Sequence, residues 1–523
     1  MRVLPWSSSP PFQPSHRPNP PCVPIEPLQQ SSRRHGICYA SEQLCDRGEG
    51  EGMADLFDRL DALVVEAMSE WKVPGLAVVV VQNGETVLRK GYGDRDVESG
   101  LPVTEDTHFM ICSITKTFTS TGLALLVDER LLDWDKPVRE YLPQFRLHDP
   151  VAMERITVRD LLCHRSGLPR HDWVWMPGDL SREEMFAAMR HLEPSKDIRT
   201  SFQYQNLGYL AAGMVAERIS GLSWEEFIRN RLSNKLGMHL TFSLEELAAR
   251  SNAAVPYFVD KDVRQRAELR PIRNTPAGGI NASIRDLDLW LHFHLRQGEW
   301  GGIRLLSSAR ARELQQQHVY VSDSEFAELS DLYYCLGFGS HFYRGERVVH
   351  HSGGWIGWGA LISLLPERGL GIAVLSNRDP SPVTNIVTNF LADELCAKTA
   401  IPWLDRYRDK HRRMLEHLDR AAHDRARRPN TWPSHDLAEY CGEYAHPAYG
   451  RLAITQADGR LHWAYRGLSA TLAHRHYDTF ELPEAPGRLL PGRCQVSPAA
   501  VRSPSGPTAT ALSAACRSRS SRW

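Results

Sequence analysis

The chain has 523 residues, 42% hydrophobic and 24% charged, with a formal net charge of −1. That length supports two or three domains with a sizeable core, and the near-neutral balance gives no electrostatic case for nucleic acid or an anionic membrane surface. Ten cysteines lie scattered without a CxxC pair, and no apolar run approaches the roughly 18–20 residues of a spanning helix.

In chain order, residues 1–52 are rich in Pro, Ser and Arg without periodicity, and are expected to be a disordered or non-native extension. They contain no apolar h-region, so a secretory signal is not expected and the protein is expected to be reduced and cytoplasmic. The run "GEGEGM" corresponds to purine-rich codons ahead of Met53, which makes Met53 the expected start. "ADLFDRLDALVVEAMSEW" has the apolar spacing of an amphipathic helix. "GLAVVVVQNGETVLRKGYG" reads as a hairpin about Asn83-Gly84. "SITKTFTSTGLALLVDERLL" reads as a buried helix, and "GWGALISLLPERGLGIAVLSNRD" as a second hairpin turning at "PERG" and followed by the helix "TNIVTNFLADELCAK". Strands from both ends around a helical middle predict an α+β domain over residues 53–400: one antiparallel sheet flanked by helices, with a helical insert. A charged helical linker is expected over 401–432. A small β module follows over 433–482, turning at Asp458-Gly459, with too few strands to close a barrel and hence an edge that needs cover. Residues 483–523 have no core-forming pattern and are expected to be a disordered tail.

Three stretches carry chemistry. Ser-x-x-Lys occurs twice. Ser69–Lys72 abuts Pro74 at the end of a surface helix and reads as polar surface, whereas Ser113–Lys116 opens a long apolar run that would bury both side chains. Burial disfavours a charged ammonium, and a neutral lysine three residues from a serine can act as its general base. In "FQYQNLGYL", Tyr204 offers a hydroxyl able to relay a proton, and Asn206 an amide able to orient a lysine or a substrate carbonyl. His351-Ser352-Gly353-Gly354 opens into a strand, where glycine lets a ligand approach the backbone closely.

The order of these motifs, with "ITVRDLLCHRSGLP", "GLSWEEFIRNRLSNKLGM" and "TPAGGINASIRDLDLW" between and around them, resembles the serine β-lactamase and penicillin-binding-protein superfamily over roughly Leu56 to Lys398. The nearer likeness is to the branch of class C β-lactamases, D-aminopeptidases and family VIII esterases. The resemblance implies a β-lactamase/transpeptidase-like fold and a serine hydrolase. Ser113 would be the nucleophile, Lys116 its base and Tyr204 the proton relay. Asn206 would hold Lys116 and the substrate amide; His351, Gly353 and Gly354 would line the substrate and, through Gly354 N–H, the oxyanion. The C-terminal module resembles a truncated lipocalin-like domain. No metal or organic cofactor is implied, and neither HExxH nor a phosphate loop occurs. The expected partner is a small ester, amide or peptide substrate rather than nucleic acid or membrane, and a homo-oligomer is left open.

His351 departs from the pattern, because true β-lactamases and penicillin-binding proteins mostly have lysine there. A histidine is largely neutral at pH 7, which weakens a carboxylate anchor and favours esters, amides or D-amino-acid peptides over β-lactams. A non-catalytic binding or scaffold descendant is the alternative. His164 is expected to be a hydrogen-bonded structural histidine, Cys112 buried packing, and "RHDWVWMPGDL" a loop near the cleft. No GxSxG elbow occurs, which argues against an α/β-hydrolase.

Overall fold

The computed structural model describes residues 49–260, 262–324, 326–424, 428 and 430–482. The predicted extension as far as residue 48 and the predicted tail over 483–523 lie outside them. Helix α1 spans Glu49–Glu70, so residues 49–52 are helical rather than part of an irregular extension. The described residues from Leu56 onward belong to one compact unit. There Leu60, Val64, Ala67 and Met68 recur at three- and four-residue spacing and are buried.

Strand β1, Gly75–Gln82, is buried along almost its whole length. Its alternate residues serve two different cores: Ala77, Val79 and Val81 face one, Leu76, Val78 and Val80 the other. The turn to β2, Glu85–Asp96, uses Asn83 and Gly84, both at positive φ, the backbone a tight hairpin requires. Strand β3, Leu101–Pro102, ends that edge. After it come a 3₁₀ turn, Cys112–Ile114, and α2, Thr115–Asp128. The helical middle contributes α3, Val158–Leu162, α4, Asn206–Ser220, and α5, Ile284–Leu295. The chain then returns through β4, Val319–Ser322, β5, Leu332–Tyr334, β6, Gly339–Tyr343, β7, Glu346–Trp355, β8, Trp358–Leu365, and β9, Leu370–Ser376. Among the described residues these nine strands make one sheet in the order β4-β5-β6-β7-β8-β9-β1-β2-β3. Every neighbouring pair is antiparallel.

One face of the sheet packs on α1 and on α6, Val383–Leu395, through Ile386, Val387 and Leu391. The other packs on the helical middle through Phe118, Leu287, Trp290 and Leu291. Helix α7, Trp403–Asp424, occupies the predicted linker. Beyond it β10, Gly442–His446, β11, Gly450–Ala457, β12, Arg460–Tyr465, and β13, Leu468–Thr471, form a four-stranded sheet. Strands β14, Ala473–His476, and β15, Thr479–Glu481, form a separate hairpin. The apolar residues of this module, Leu452, Ile454, Trp463 and Tyr465 among them, are continuous with the core of the helical middle, so the main body covers them.

Candidate active site

The turn that carries Ser113 is set by its neighbours. Cys112 adopts φ 49, a left-handed backbone that few residues other than glycine take readily. Its thiol is fully buried, as expected of packing. The turn delivers Ser113 to the start of α2, in which every residue from Thr115 to Leu126 is buried. The N-terminal end of a helix carries partial positive charge, which suits a developing oxyanion. One turn on, Lys116 is fully buried, with Nζ 3.1 Å from Ser113 Oγ and donating to the Ala277 carbonyl at 2.7 Å. Burial holds its ammonium well below the usual lysine range. Arg170 pushes the same way, and Asp172 and Cys112 oppose.

The ring of Tyr204 lies 4.8 Å from Lys116 Nζ. Burial pushes its phenol up to about 12, against the pull of the Ser113 hydroxyl and of Arg170, so it is protonated at neutral pH and able to donate. The segment that carries it is threaded past His164. The Gln203 N–H donates to the His164 carbonyl at 2.8 Å and the Gln205 N–H to His164 Nδ1 at 3.0 Å. The imidazole rests against Tyr204, Tyr334 and Tyr209, with ring centres 4.2, 4.7 and 5.2 Å away. His164 is thus hydrogen-bonded at Nδ1 and packed among three tyrosines.

Asn206 is the first residue of α4, and its place differs from the expected one. Its side-chain amide donates to Asp172 Oδ1 at 3.2 Å, while the lysine it was expected to hold is held by a backbone carbonyl. Asp172 is itself buried and also accepts from Trp175 Nε1 at 2.8 Å and from Arg170 Nε.

His351 is buried on β7. Its Nδ1 donates to the Ser352 carbonyl at 2.6 Å, so Nε2 is the acceptor for the Tyr334 hydroxyl at 2.8 Å. Burial, reinforced by Lys116, pushes the ring down to about 3 and leaves it neutral. The neighbouring His350 lies instead against His341, with ring centres 4.8 Å apart. Gly353 is buried where a β-carbon would stand 2.1 Å from the Ile111 carbonyl oxygen, so only glycine lets β7 run this close to the serine turn. Gly354, next along, is exposed. A β-carbon there would lie 3.4 Å from a carboxylate oxygen of Asp379, a half-buried acid pushed up to about 7 by desolvation.

Ser113, Lys116 and Tyr204 therefore meet beside the close approach of β7. Three participants were not singled out from sequence. Asp172 lies in the aromatic stretch predicted as a cleft loop, Ala277 lies in the quoted phrase "TPAGG", and Tyr334 gave no signal. Among the described residues no group of three or more His, Cys, Asp or Glu is placed to hold a metal ion, and no helix is long and apolar enough to cross a membrane.

Residues 60–397, more than half of the chain, match the Beta-lactamase family. The chain belongs to that family, whose fold and homologues are those of β-lactamase-type serine hydrolases. A domain of unknown function, DUF3471, matches residues 426–488. An unguisins hydrolase of Aspergillus campestris is 29% identical over 434 residues, 77% of this chain and 79% of its own. An octameric penicillin-binding protein homologue from Pyrococcus abyssi superposes with a TM-score of 0.60 at 24% identity, covering 83% of this chain and 94% of its own. A class C β-lactamase from Rhodobacter sphaeroides superposes with a TM-score of 0.51 at 20% identity, over 65% of this chain and 98% of its own. These two likenesses bear out the expected β-lactamase/transpeptidase-like α+β fold.

Proposed function

We propose that the protein hydrolyses esters, amides or D-amino-acid peptides through an acyl-enzyme on Ser113, with β-lactams turned over weakly at most. The observation that carries this is the pairing of Ser113 Oγ with the Nζ of a fully buried lysine at 3.1 Å. A lysine held neutral takes the serine proton as Oγ attacks the substrate carbonyl. The N–H groups of Ser113 and Gly354 receive the oxyanion, a contribution of roughly 2.7–4 kcal/mol per donor. Collapse expels the leaving group with a proton from Tyr204, and water, activated by the same tyrosine and lysine, releases the acid.

The substrate class rests on His351. A ring whose two nitrogens are occupied by Ser352 and Tyr334, and which burial keeps neutral, offers no charge to a substrate carboxylate. The likeness to an unguisins hydrolase supports a hydrolytic activity outside the β-lactams. A fluorophosphonate probe is expected to label the wild type and not Ser113→Ala. A panel of p-nitrophenyl esters, D-amino-acid amides and penicillins is expected to rank penicillins last. Cephalosporin turnover at the rates of resistance enzymes would overturn the substrate reading, and an unlabelled wild type would overturn the nucleophile.

A further inference from the structure

We propose that Arg170 is a positioning residue that supplies the positive charge beside Tyr204, and that the C-terminal β module keeps it there by clasping the loop it stands on. The inference rests on Ser113 being the nucleophile.

The guanidinium of Arg170 lies 5.1 Å from the centre of the Tyr204 ring, and its Nε is paired with Asp172. Asp172 is tied in turn to Asn206 at the start of α4 and to the Trp175 indole. The charge thus stands on a scaffold fixed at two further points. The groups packed around Tyr204 come from every side: Cys112, Ser113 and Lys116 from the serine turn and α2, His164 after α3, Tyr209 from α4, Tyr334 from β5, His351 beyond it on β7, and the Arg170–Asp172 pair from the loop. Burial takes the positive charge from Lys116, His164 and His351. Arg170 is the cation in that set that burial does not discharge.

The loop is held from outside by the module. Arg466 and Gly467, both at positive φ, form the two-residue turn between β12 and β13. The Arg466 side chain, only 7% exposed, donates through Nη1 to the carbonyls of Trp173 and Val174 at 3.2 and 2.8 Å. Its Nε donates to Asp179 Oδ2 at 3.0 Å. The Tyr465 hydroxyl lies between two carbonyls, that of Trp173 on the loop at 3.0 Å and that of Tyr449 in the module at 2.9 Å. His171 Nε2 faces the Glu193 carbonyl and so carries the ring proton, which leaves Nδ1 to accept from the Tyr449 hydroxyl at 2.6 Å. On its cleft side the same loop rests Trp175 against Trp355 at the end of β7, with ring centres 5.3 Å apart. The loop is pinned between the module and the site, and Arg170 leads into it.

Removing the guanidinium leaves the Asp172 carboxylate as the charge nearest the phenol and the amine. Both then keep their protons to higher pH, and the rising limb of the rate profile moves up. The test is the rate of fluorophosphonate labelling of the full chain from pH 5 to 10. Arg170→Gln is expected to move the rising limb up by about one pH unit and to slow labelling at pH 7 about tenfold. Arg170→Lys should return most of that shift. Arg466→Gln and Tyr449→Phe, two routes to loosening the clasp, should shift the limb in the same direction by less. Arg451→Ala, in an exposed pair with Glu443 on the module, should leave it in place. Slower labelling in Arg170→Gln with an unmoved limb overturns the role of the charge. A shift in Arg170→Gln with none in either clasp variant overturns the role of the module. Labelling absent from the wild type at every pH strikes the nucleophile itself.

Discussion

Ser69 and Lys72 stand at the end of α1, and Ser113 and Lys116 at the start of α2, with the same residue types at the same spacing. Lys72 sits in a turn at φ 51, and its amine donates to the Asp262 carboxylate at 2.7 Å, the two side chains 37% and 94% exposed. Lys116 has no exposed surface, and its partners are a serine hydroxyl and a backbone carbonyl. Water and a counter-ion surround the first lysine; the second has neither, and burial makes it a base. The motif describes a geometry, and the surroundings decide its chemistry.

Breaking the buried copy should have the largest effect. Lys116→Met is expected to lower kcat/KM on the best ester by about 10⁴-fold, while its Tm is no lower than the wild type's, because a lysine held uncharged in an apolar site is kept for function. A large fall in Tm would make Lys116 a structural residue instead.

Half-buried Asp379 asks whether desolvation moves a proton on an acid too, here against the pull of Arg378 and the Ser381 backbone. Its carboxyl is raised to about 7 in the fold, against roughly 3.9 in an unfolded chain. A raised acid is a stability contribution that is present below the unfolded value and lost as pH rises through the folded one. Asp379→Asn should therefore stabilise the protein by roughly 2 kcal/mol more at pH 8 than at pH 5. Equal effects in urea melts at the two values would remove burial as the cause.

The exposed copy should give the smallest response. Lys72→Met removes a surface ion pair, and is expected to change stability by less than about 0.5 kcal/mol and to leave ester turnover untouched. A loss of activity would mean that the two copies are not as different as their exposure says.

What could be read in the sequence follows the same division. Apolar runs and turn residues announced both hairpins, the buried helix and the two-ended sheet, because these patterns are local. The choice between the Ser-x-x-Lys copies was legible too, since the flanking residues differ so strongly in polarity. The hydrogen bonds were not. Asn206 was expected to hold Lys116, but Asp172, thirty-four positions upstream, takes its amide. The lysine rests instead on Ala277, distant by 161 positions. A backbone carbonyl leaves no mark in the residue string. Gly353 was expected at the substrate, yet its buried side meets Ile111, a restriction that appears only once two remote segments are brought together.

The seam between β1 and β9 carries a cost in time. Val78 lies opposite Val374 and Val80 opposite Ile372, and the Gly75 N–H reaches Asn377 across 302 positions of chain. At the ~5–20 residues per second of translation, the first of these strands waits on the order of 15–60 s for its neighbour to be made. Through that interval "GLAVVVVQ" has an unpaired backbone edge and two apolar faces, the features that seed fibrous self-association. The nascent polypeptide must therefore be shielded, by its own helical middle or by a chaperone, until the centre of the sheet can zip shut.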